Sequence, residues 1–313
     1  MHLADINAPA RGAYVELNEL IALRFPAKQL KLGRKKRALS NLAGPNKTNF
    51  RGRGIDFEEV RRYQPGDDIR TIDWRVTART GSAHTKLFRE ERERPVLVVV
   101  DQRSSMFFGS SHCFKSVLAG QLASLLAWSA LNEGDRVGGL VFNDDGHQEI
   151  RPRRSRKTVL TLLSQITRYN QALPQHSPEE HDSFARMLSN LRRIARPGTS
   201  LFLISDFRGA SHERAREHLF ELAKHTELTT IACSDPLESE LPKAGTYAVT
   251  NGNARSELRT DDRRLRLAYS DRLQQQRDLL SSDLLGLGVP LIQASTDQAP
   301  YSLLQKYYGD THR

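Results

Sequence analysis

The predicted fold is built around one stretch, Arg94-Pro-Val-Leu-Val-Val-Val-Asp-Gln-Arg-Ser-Ser-Met-Phe-Phe-Gly109. It contains an unbroken aliphatic run, Val96 to Val100, which is typical of a strand that is covered on both faces. Asp101 and a small polar loop follow directly, and a helix-like sequence begins at about Ser111. In an open parallel α/β sheet, ligands bind where strands end and helices begin. The sequence therefore places Asp101 where such a fold binds its ligands.

The same pattern of strand and helix repeats through the rest of the chain. Further buried strands are predicted at Ser200–Ser205, Leu228–Cys233 and Val289–Gln293. The strand predicted at Arg136–Phe142 is expected to pair with an antiparallel return strand from His147. Helices are predicted between the strands, at about 111–132, 157–169, 183–195, 212–225 and 260–285. This alternation indicates an α/β fold with a mainly parallel sheet and helices on both faces.

The chain of 313 residues is long enough for one large α/β domain with additions. Residues 1–49 are predicted to form a helical preface and a basic loop. Residues 50–93 are dense in charge and glycine and lack a long apolar run, which indicates a charged, β-rich elaboration. Residues 94–299 carry the α/β pattern, and residues 300–313 are predicted to form a C-terminal helix that begins at a proline.

The formal net charge is +10, and basic residues concentrate in two runs, Lys31–Arg37 and Arg151–Lys157. Such runs bind phosphates or an acidic protein face. Neither run is interleaved with aromatic residues, and no helix-turn-helix or zinc-ligand spacing occurs in the sequence. A nucleic-acid or polyanion binder is therefore an alternative rather than the main prediction.

The sequence favours a cytoplasmic protein. No run approaches the roughly 18 apolar residues of a membrane span. The N-terminus lacks the basic and apolar regions of a signal peptide. Cys113 and Cys233, the two cysteines, lie inside apolar patterns, which predicts that both are reduced and buried.

Two aspartates come directly after buried strands, Asp101 and Asp206. If the two strands are neighbours, both carboxylates lie at the same edge of the sheet. With the hydroxyls of Ser104 and Ser105 they would offer the oxygen ligands that Mg²⁺ prefers. The alternative is that each aspartate caps the helix that follows it, which aspartate does well at a helix N-terminus.

Two motifs resemble known families. The sheet pattern with Asp101-x-x-x-Ser105 resembles a von Willebrand factor A domain, whose metal-ion-dependent adhesion site reads Asp-x-Ser-x-Ser. Residues 51–79 contain the motifs Arg51-Gly-Arg-Gly, Tyr63-Gln-Pro-Gly-Asp-Asp-Ile-Arg, Ile72-Asp-Trp and Ala78-Arg. Together these motifs closely resemble the bacterial domain of unknown function family fifty-eight (DUF58). This resemblance covers roughly residues 30 to 300. It implies a von Willebrand A-like, Rossmann-like fold and an association with MoxR-type AAA+ ATPases, beside which family members are encoded.

The adhesion motif transfers only in part. Asp101 and Ser105 match its first aspartate and second serine, and Asp206 matches the later strand-end aspartate, but Arg103 stands where the first serine is expected. The threonine of the second loop has no clear match; Asp182 or Ser183 occupies that neighbourhood.

A guanidinium has no lone pair for a cation and stays charged. Three arrangements remain open: a Mg²⁺ site made by Asp101, Ser105 and Asp206, a metal-free site in which Arg103 pairs with both aspartates, and two helix caps. The predicted cofactor is therefore none, or Mg²⁺. An acidic ligand would reach either a metal or Arg103, which could grip a carboxylate in bidentate fashion.

The charged segment 51–79 also allows more than one interpretation. It is either a network of ion pairs and turn caps that satisfies itself, or a docking surface for the ATPase. A metal or hydrolytic cluster at Asp67, Asp68 and Asp73 is disfavoured because no histidine or nucleophile is near in sequence. The predicted interaction surface comprises Arg53, Arg61, Arg62, Asp67, Asp68, Arg70, Asp73 and Trp74.

The sequence contains no Gly-x-Ser-x-Gly, phosphate-binding loop, Cys-x-x-Cys or His-Glu-x-x-His motif. We therefore predict a non-enzymatic interaction module and partner of a MoxR-type AAA+ ATPase. It would bind an acidic protein ligand at five residues: Asp101, Arg103, Ser104, Ser105 and Asp206. The second alternative, besides a polyanion binder, is a metal-dependent phosphohydrolase that uses the strand-end aspartates.

Overall fold

The computed structural model describes residues 6–33, 42, 56–64, 67, 69, 72–89, 94–172, 182–250 and 255–309. The chain divides into two compact units. The large unit consists of residues 1–48 and 95–313, and the small unit consists of residues 49–94.

The small unit contains a two-stranded antiparallel sheet and a short helix. Its strands are Asp56–Arg62 (β1) and His84–Arg89 (β2), and between them lies the helix Trp74–Thr80 (α2). The Asp73 side chain accepts the backbone N–H groups of Arg75 and Val76, so it caps the helix N-terminus. Gly81 ends the helix in the left-handed conformation (φ 72°) that glycine adopts at least cost. The sequence pattern predicts a β-rich segment and does not indicate this helix.

The large unit alternates strands and helices. Its strands are Pro95–Asp101 (β3), Arg136–Phe142 (β4), His147–Arg153 (β5), Ser200–Ser205 (β6), Glu227–Ser234 (β7), Thr246–Thr250 (β8), Arg255–Arg259 (β9) and Leu291–Ser295 (β10). Its α-helices are Leu17–Ala22 (α1), Lys115–Asn132 (α3), Arg156–Ala172 (α4), Ser183–Ile194 (α5), Glu213–His225 (α6), Arg263–Gly286 (α7) and Pro300–Tyr308 (α8).

Six strands form the central sheet, in the order β10-β7-β6-β3-β4-β5. Every neighbouring pair is parallel except β4 and β5, which form the predicted antiparallel hairpin. The predicted α/β class with a mainly parallel sheet is therefore confirmed. Strands β8 and β9 pair separately as a hairpin.

The central strand β3 is apolar throughout because both of its faces are covered. Val96, Val98 and Val100 pack into one hydrophobic cluster with α3, α4 and α8. Leu97 and Val99 pack into a second cluster with α5 and α6. Side chains alternate between the faces of a strand, so a strand buried on both sides reads as a continuous aliphatic run.

Helix α3 begins later than predicted, at Lys115 rather than near Ser111. The reason is that residues 112–114 form backbone hydrogen bonds with Gly12. The N–H of Gly12 donates to His112 O, and the N–H of Phe114 donates to Gly12 O. The segment before the helix is thus held in a bridge to the N-terminal region. Ser104–Met106 forms a separate 3₁₀ turn between strand and helix.

Both cysteines are free and buried, as predicted. Burial raises the pKa of the Cys113 thiol to about 12, so it is a thiol at neutral pH. Among the described residues, no helix has the length and apolar character needed to cross a membrane.

Candidate functional site

Asp101 and Asp206 lie at the same edge of the sheet. Strands β3 and β6 are parallel neighbours, with Val96 opposite Ser200 and Val100 opposite Ile204. Strands β3 and β6 therefore end side by side at the carboxyl edge of the sheet. We call the group Asp101, Arg103, Ser104, Ser105 and Asp206 the carboxyl-edge site.

Arg103 lies between the two aspartates. Its Nε donates to both carboxylate oxygens of Asp101 at 3.1 Å, and its Nη2 donates to Asp101 Oδ2 at 2.8 Å. The same Nη2 reaches Asp206 Oδ1 at 3.3 Å, and Nη1 donates to the carbonyl of Arg208 at 3.1 Å. The side chain of Arg103 is 3% exposed and that of Asp101 is fully buried. Each nitrogen of the guanidinium is therefore engaged inside the protein.

Aromatic rings cover the guanidinium of Arg103. Its central carbon lies 5.0 Å from the ring centre of Phe184 and 5.6 Å from that of Phe142. Both distances are within the range of cation–π attraction. Phe184 belongs to α5 and also contacts Phe207 edge-on. Phe142 and Phe184 therefore cover this cation from two separate elements, and Phe207 packs against Phe184.

A second buried cation, Lys115, completes the arrangement. Its Nζ lies 3.1 Å from Asp206 Oδ2 and 2.6 Å from Glu238 Oε1, and its side chain is fully buried. The paired groups thus form a row of alternating charge: Asp101, Arg103, Asp206, Lys115 and Glu238. Neither Lys115 nor Glu238 is among the predicted site residues, although the single lysine in the first turn of an otherwise apolar helix is a signal in the sequence.

The serines take different positions from those predicted. The backbone N–H of Ser104 donates to Asp144 Oδ2 at 2.7 Å. The Ser105 hydroxyl is buried and has no hydrogen-bond partner among the described residues. Ser205, which was not predicted, donates its hydroxyl to Asp101 Oδ2 at 2.6 Å and accepts the N–H of Phe207.

The alternative of helix capping is wrong for both aspartates. Phe114 stands at the N-cap of α3 and His212 at the N-cap of α6, and neither helix has a side-chain cap. Asp101 instead accepts the N–H of Arg103, and Asp206 accepts the N–H of Arg208. Each aspartate stabilises the loop that follows its own strand.

The ionisation of the site follows from burial and pairing. Burial alone would raise the pKa of Asp206, but the cations of Lys115, Arg103 and Arg208 outweigh it and hold the pKa well below its usual range. Burial raises the pKa of Asp101 above its usual value, and Arg103 offsets part of that effect. Burial disfavours the charge on Lys115, yet Asp206 and Glu238 raise its pKa.

The site as arranged does not fit a magnesium ion between the aspartates. Mg²⁺ needs carboxylate lone pairs at close range. Here the oxygens of Asp101 accept from Arg103 and Ser205, and those of Asp206 accept from Arg103, Lys115 and the backbone. The unpartnered hydroxyl of Ser105 is the feature that would suit an ion if Arg103 were removed.

The predicted surface on the small unit is described in part. Arg61 forms an ion pair with Asp67 at 2.7 Å, and Asp67 also accepts the N–H of Gln64. These contacts lower the pKa of Asp67, the Gln64 N–H most and Arg61 next. Asp73 is the cap of α2, so Asp67 and Asp73 both serve as local hydrogen-bond acceptors.

Other parts of that surface are exposed or undescribed. Trp74 is 68% exposed, and Arg62 is also exposed. Arg53, Asp68 and Arg70 lie outside the described residues. Of the two basic runs, 151–157 lies where β5 ends and α4 begins, and of 31–37 only Lys31–Gly33 is described.

The chain is similar to a known family and to curated mycobacterial proteins. The family model "Protein of unknown function DUF58" matches residues 59–279. The uncharacterized protein Rv1480 of Mycobacterium tuberculosis (strain ATCC 25618 / H37Rv) is 30% identical over 248 residues, which are 79% of this chain and 76% of that protein. The uncharacterized protein Mb1516 of Mycobacterium bovis gives the same values.

Among solved structures, the conserved hypothetical protein BatB of Bacteroides thetaiotaomicron aligns with a TM-score of 0.42 and 16% identity, over 68% of this chain and 96% of that one. An aerotolerance-related membrane protein of Bacteroides fragilis aligns with a TM-score of 0.43 and 13% identity, over 67% and 94%. The family model decides the assignment: the chain belongs to the DUF58 family of proteins of unknown function.

Proposed function

We propose that this protein is a non-enzymatic interaction module with a von Willebrand A-like domain, whose carboxyl-edge site works without a metal. It acts as a partner of a MoxR-type AAA+ ATPase and binds an acidic protein ligand at the carboxyl edge. The observation that carries the proposal is the position of Arg103, buried between Asp101 and Asp206 where an adhesion site would hold its cation.

The charges of the site favour binding over catalysis. Phosphoester hydrolysis at such an edge needs carboxylates that are available to a metal or a water. Asp101 and Asp206 are instead committed to Arg103, Lys115 and Ser205. Buried, paired charges fix a surface rigidly, which suits a module that presents a constant shape.

The ligand carboxylate would meet Arg208 rather than Arg103. We expected Arg103 itself to grip an acidic ligand, but its donors are used internally and its side chain is 3% exposed. Arg208 comes two residues after Asp206, its Nε lies 3.9 Å from Asp206 Oδ2, and its side chain is 58% exposed. It is therefore the exposed cation beside the carboxyl-edge site that a ligand would meet.

The ATPase link rests on membership of the DUF58 family, together with the resemblance of the 51–79 motif. Trp74, which is exposed, supports a second contact on the small unit, because tryptophan and arginine are enriched among the residues that contribute most to binding at protein interfaces. In the small unit Arg75 follows Trp74 directly, and both are exposed.

A pull-down tests the proposal. The tagged protein is incubated with the purified MoxR-type ATPase of the same host, without nucleotide, in Mg²⁺ or in EDTA. We expect equal retention in both buffers, and weaker retention by Arg208→Glu and by Trp74→Ala. Arg272→Glu, an exposed arginine on α7, is the matched control. No retention by the wild type, or retention that requires Mg²⁺, would contradict the proposal.

A further inference from the structure

A second charged region lies at the opposite edge of the sheet, where β4 begins and β5 ends. Strand β4 starts at Arg136, and the register places Val137 opposite Arg153. Helix α4 starts directly afterwards, at Arg156. We call Arg136, Arg151, Arg153 and Arg156 the basic surface.

The arginines of the basic surface are exposed and unpaired among the described residues. All four side chains are exposed to solvent. In the part of the chain that the structure describes, none of them forms an ion pair or hydrogen bond through its side chain. Lys157, next to Arg156, is exposed as well. Unpaired cations in one place create a positive potential that attracts an acidic partner.

The start of the other basic run lies close to this surface. The Glu133 carboxylate, at the end of α3, accepts the N–H groups of Leu32 and Gly33. Gly134 follows it, and a β-carbon added there would lie 3.3 Å from Arg154 Nη2. Lys31–Gly33 and Arg154 are therefore both held at the C-terminal end of α3. Lys31 and Arg154, which are far apart in sequence, thus lie near the same end of α3.

The geometry of β5 favours an extended peptide over a nucleic acid. Strand β5 is at the edge of the sheet, so one of its backbone edges has no strand partner among the described residues. The hairpin closes with the N–H of Asn143 on Gly146 O, and antiparallel alternation then turns the backbone groups of His147 and Glu149 outward. No aromatic residue occurs between 147 and 157 on which a base would stack.

We propose that the basic surface binds an acidic, extended segment of a protein partner. The segment adds a strand to the free edge of β5, and its carboxylates lie against Arg151, Arg153 and Arg156. Pro152 lacks an N–H and limits the pairing to the first part of β5. The inference rests on the proposed function for the class of ligand, an acidic protein, and adds a second site for it along β5, whose basic end lies at the edge opposite Arg103.

The test is fluorescence anisotropy of the full chain with a labelled peptide of alternating glutamate and threonine. We expect binding by the wild type and a loss of at least about tenfold in affinity for the triple variant Arg151→Glu, Arg153→Glu, Arg156→Glu. The control triple Arg263→Glu, Arg264→Glu, Arg272→Glu makes the same charge change at exposed positions of α7. It should leave the affinity within about twofold.

Two further probes use the unaltered protein. A peptide of the same charge with proline at every second position lacks the N–H groups for strand pairing, so it should bind more weakly than the first peptide. A single-stranded DNA of equal charge should also bind more weakly. Tighter binding of the DNA, equal binding of both peptides, or an equal loss in the control triple would overturn the inference.

The outcome is separable from that of the proposed function. The two results are read from different variants: retention of the ATPase from Arg208→Glu, and affinity for the peptide from the triple variant at the basic surface. If the ATPase is not retained in the pull-down but the peptide still depends on the basic surface, the proposed function fails alone. If the ATPase is retained and the peptide ignores the basic surface, this inference fails alone.

Discussion

The two edges of the central sheet handle charge in opposite ways. At the carboxyl edge, Arg103 is buried and engaged by two aspartates, a carbonyl and two aromatic rings. At the opposite edge, where the parallel strands begin, the arginines are exposed and have no acidic partner in the described chain: Arg151, Arg153 and Arg156. A buried charge must be paired or its desolvation is not offset, whereas an exposed charge stays hydrated. The same residue type is therefore structural at one edge and available to a ligand at the other.

The largest expected difference between the edges is in stability. Arg103→Met should lower the free energy of unfolding by about 3–5 kcal/mol, because it leaves Asp101 buried without its cation. Arg153→Met, the matched control on the basic surface, should change it by less than about 0.5 kcal/mol. Urea denaturation of both variants measures the contrast. Similar small losses for the two variants would show that Arg103 is not held as the structure describes.

Lys115→Met tests the contribution of the second buried cation at the carboxyl edge to stability. Asp206 loses one of its two buried cations but keeps Arg103, so we expect a smaller loss, about 1–3 kcal/mol. A double-mutant cycle with Asp206→Asn isolates the coupling, which should fall in the range of about 0.5–3 kcal/mol for groups in direct contact. Additive effects of the two substitutions would contradict the contact between Lys115 and Asp206.

The smallest of these effects is a dependence on pH. Lys115, Arg103 and Arg208 lower the pKa of Asp206 in the folded state, so its contribution is present above the unfolded pKa of about 4 and is lost as pH falls below that value. The stability difference between wild type and Asp206→Asn should therefore be smaller at pH 3 than at pH 7, by urea denaturation. Asp271→Asn, at an exposed position of α7, should show no such change. An unchanged difference for Asp206→Asn would oppose the depressed pKa.

Much of the fold could be predicted because its signals are local. The aliphatic run of β3 and the strand ends at Asp101 and Asp206 depend on neighbouring residues alone, and so does the helical periodicity of α3. The departure of Arg103 from the adhesion motif was also visible in the sequence. Its pairing with Asp206 depends on β3 and β6 being neighbours in the sheet, which the structure shows.

The remaining features depend on contacts between distant segments. Lys115 meets Glu238 because the 3₁₀ turn Pro236–Glu238 follows β7 at the same edge, and no local pattern pairs the two residues. Strand β9, Arg-Ser-Glu-Leu-Arg, has no apolar alternation and is defined by its register with β8. Helix α2 is short and depends on the cap by Asp73.

The most direct test of the account is the melting temperature of wild type, Arg103→Ser and Asp101→Ala, each with and without Mg²⁺. We propose that Arg103 takes the place of the metal cation. Mg²⁺ should therefore leave the melting temperature of the wild type unchanged and raise that of Arg103→Ser, in which Asp101, Ser105 and Asp206 are released to bind it. A wild type that is stabilised by Mg²⁺, with the effect lost in Asp101→Ala, would contradict the central claim.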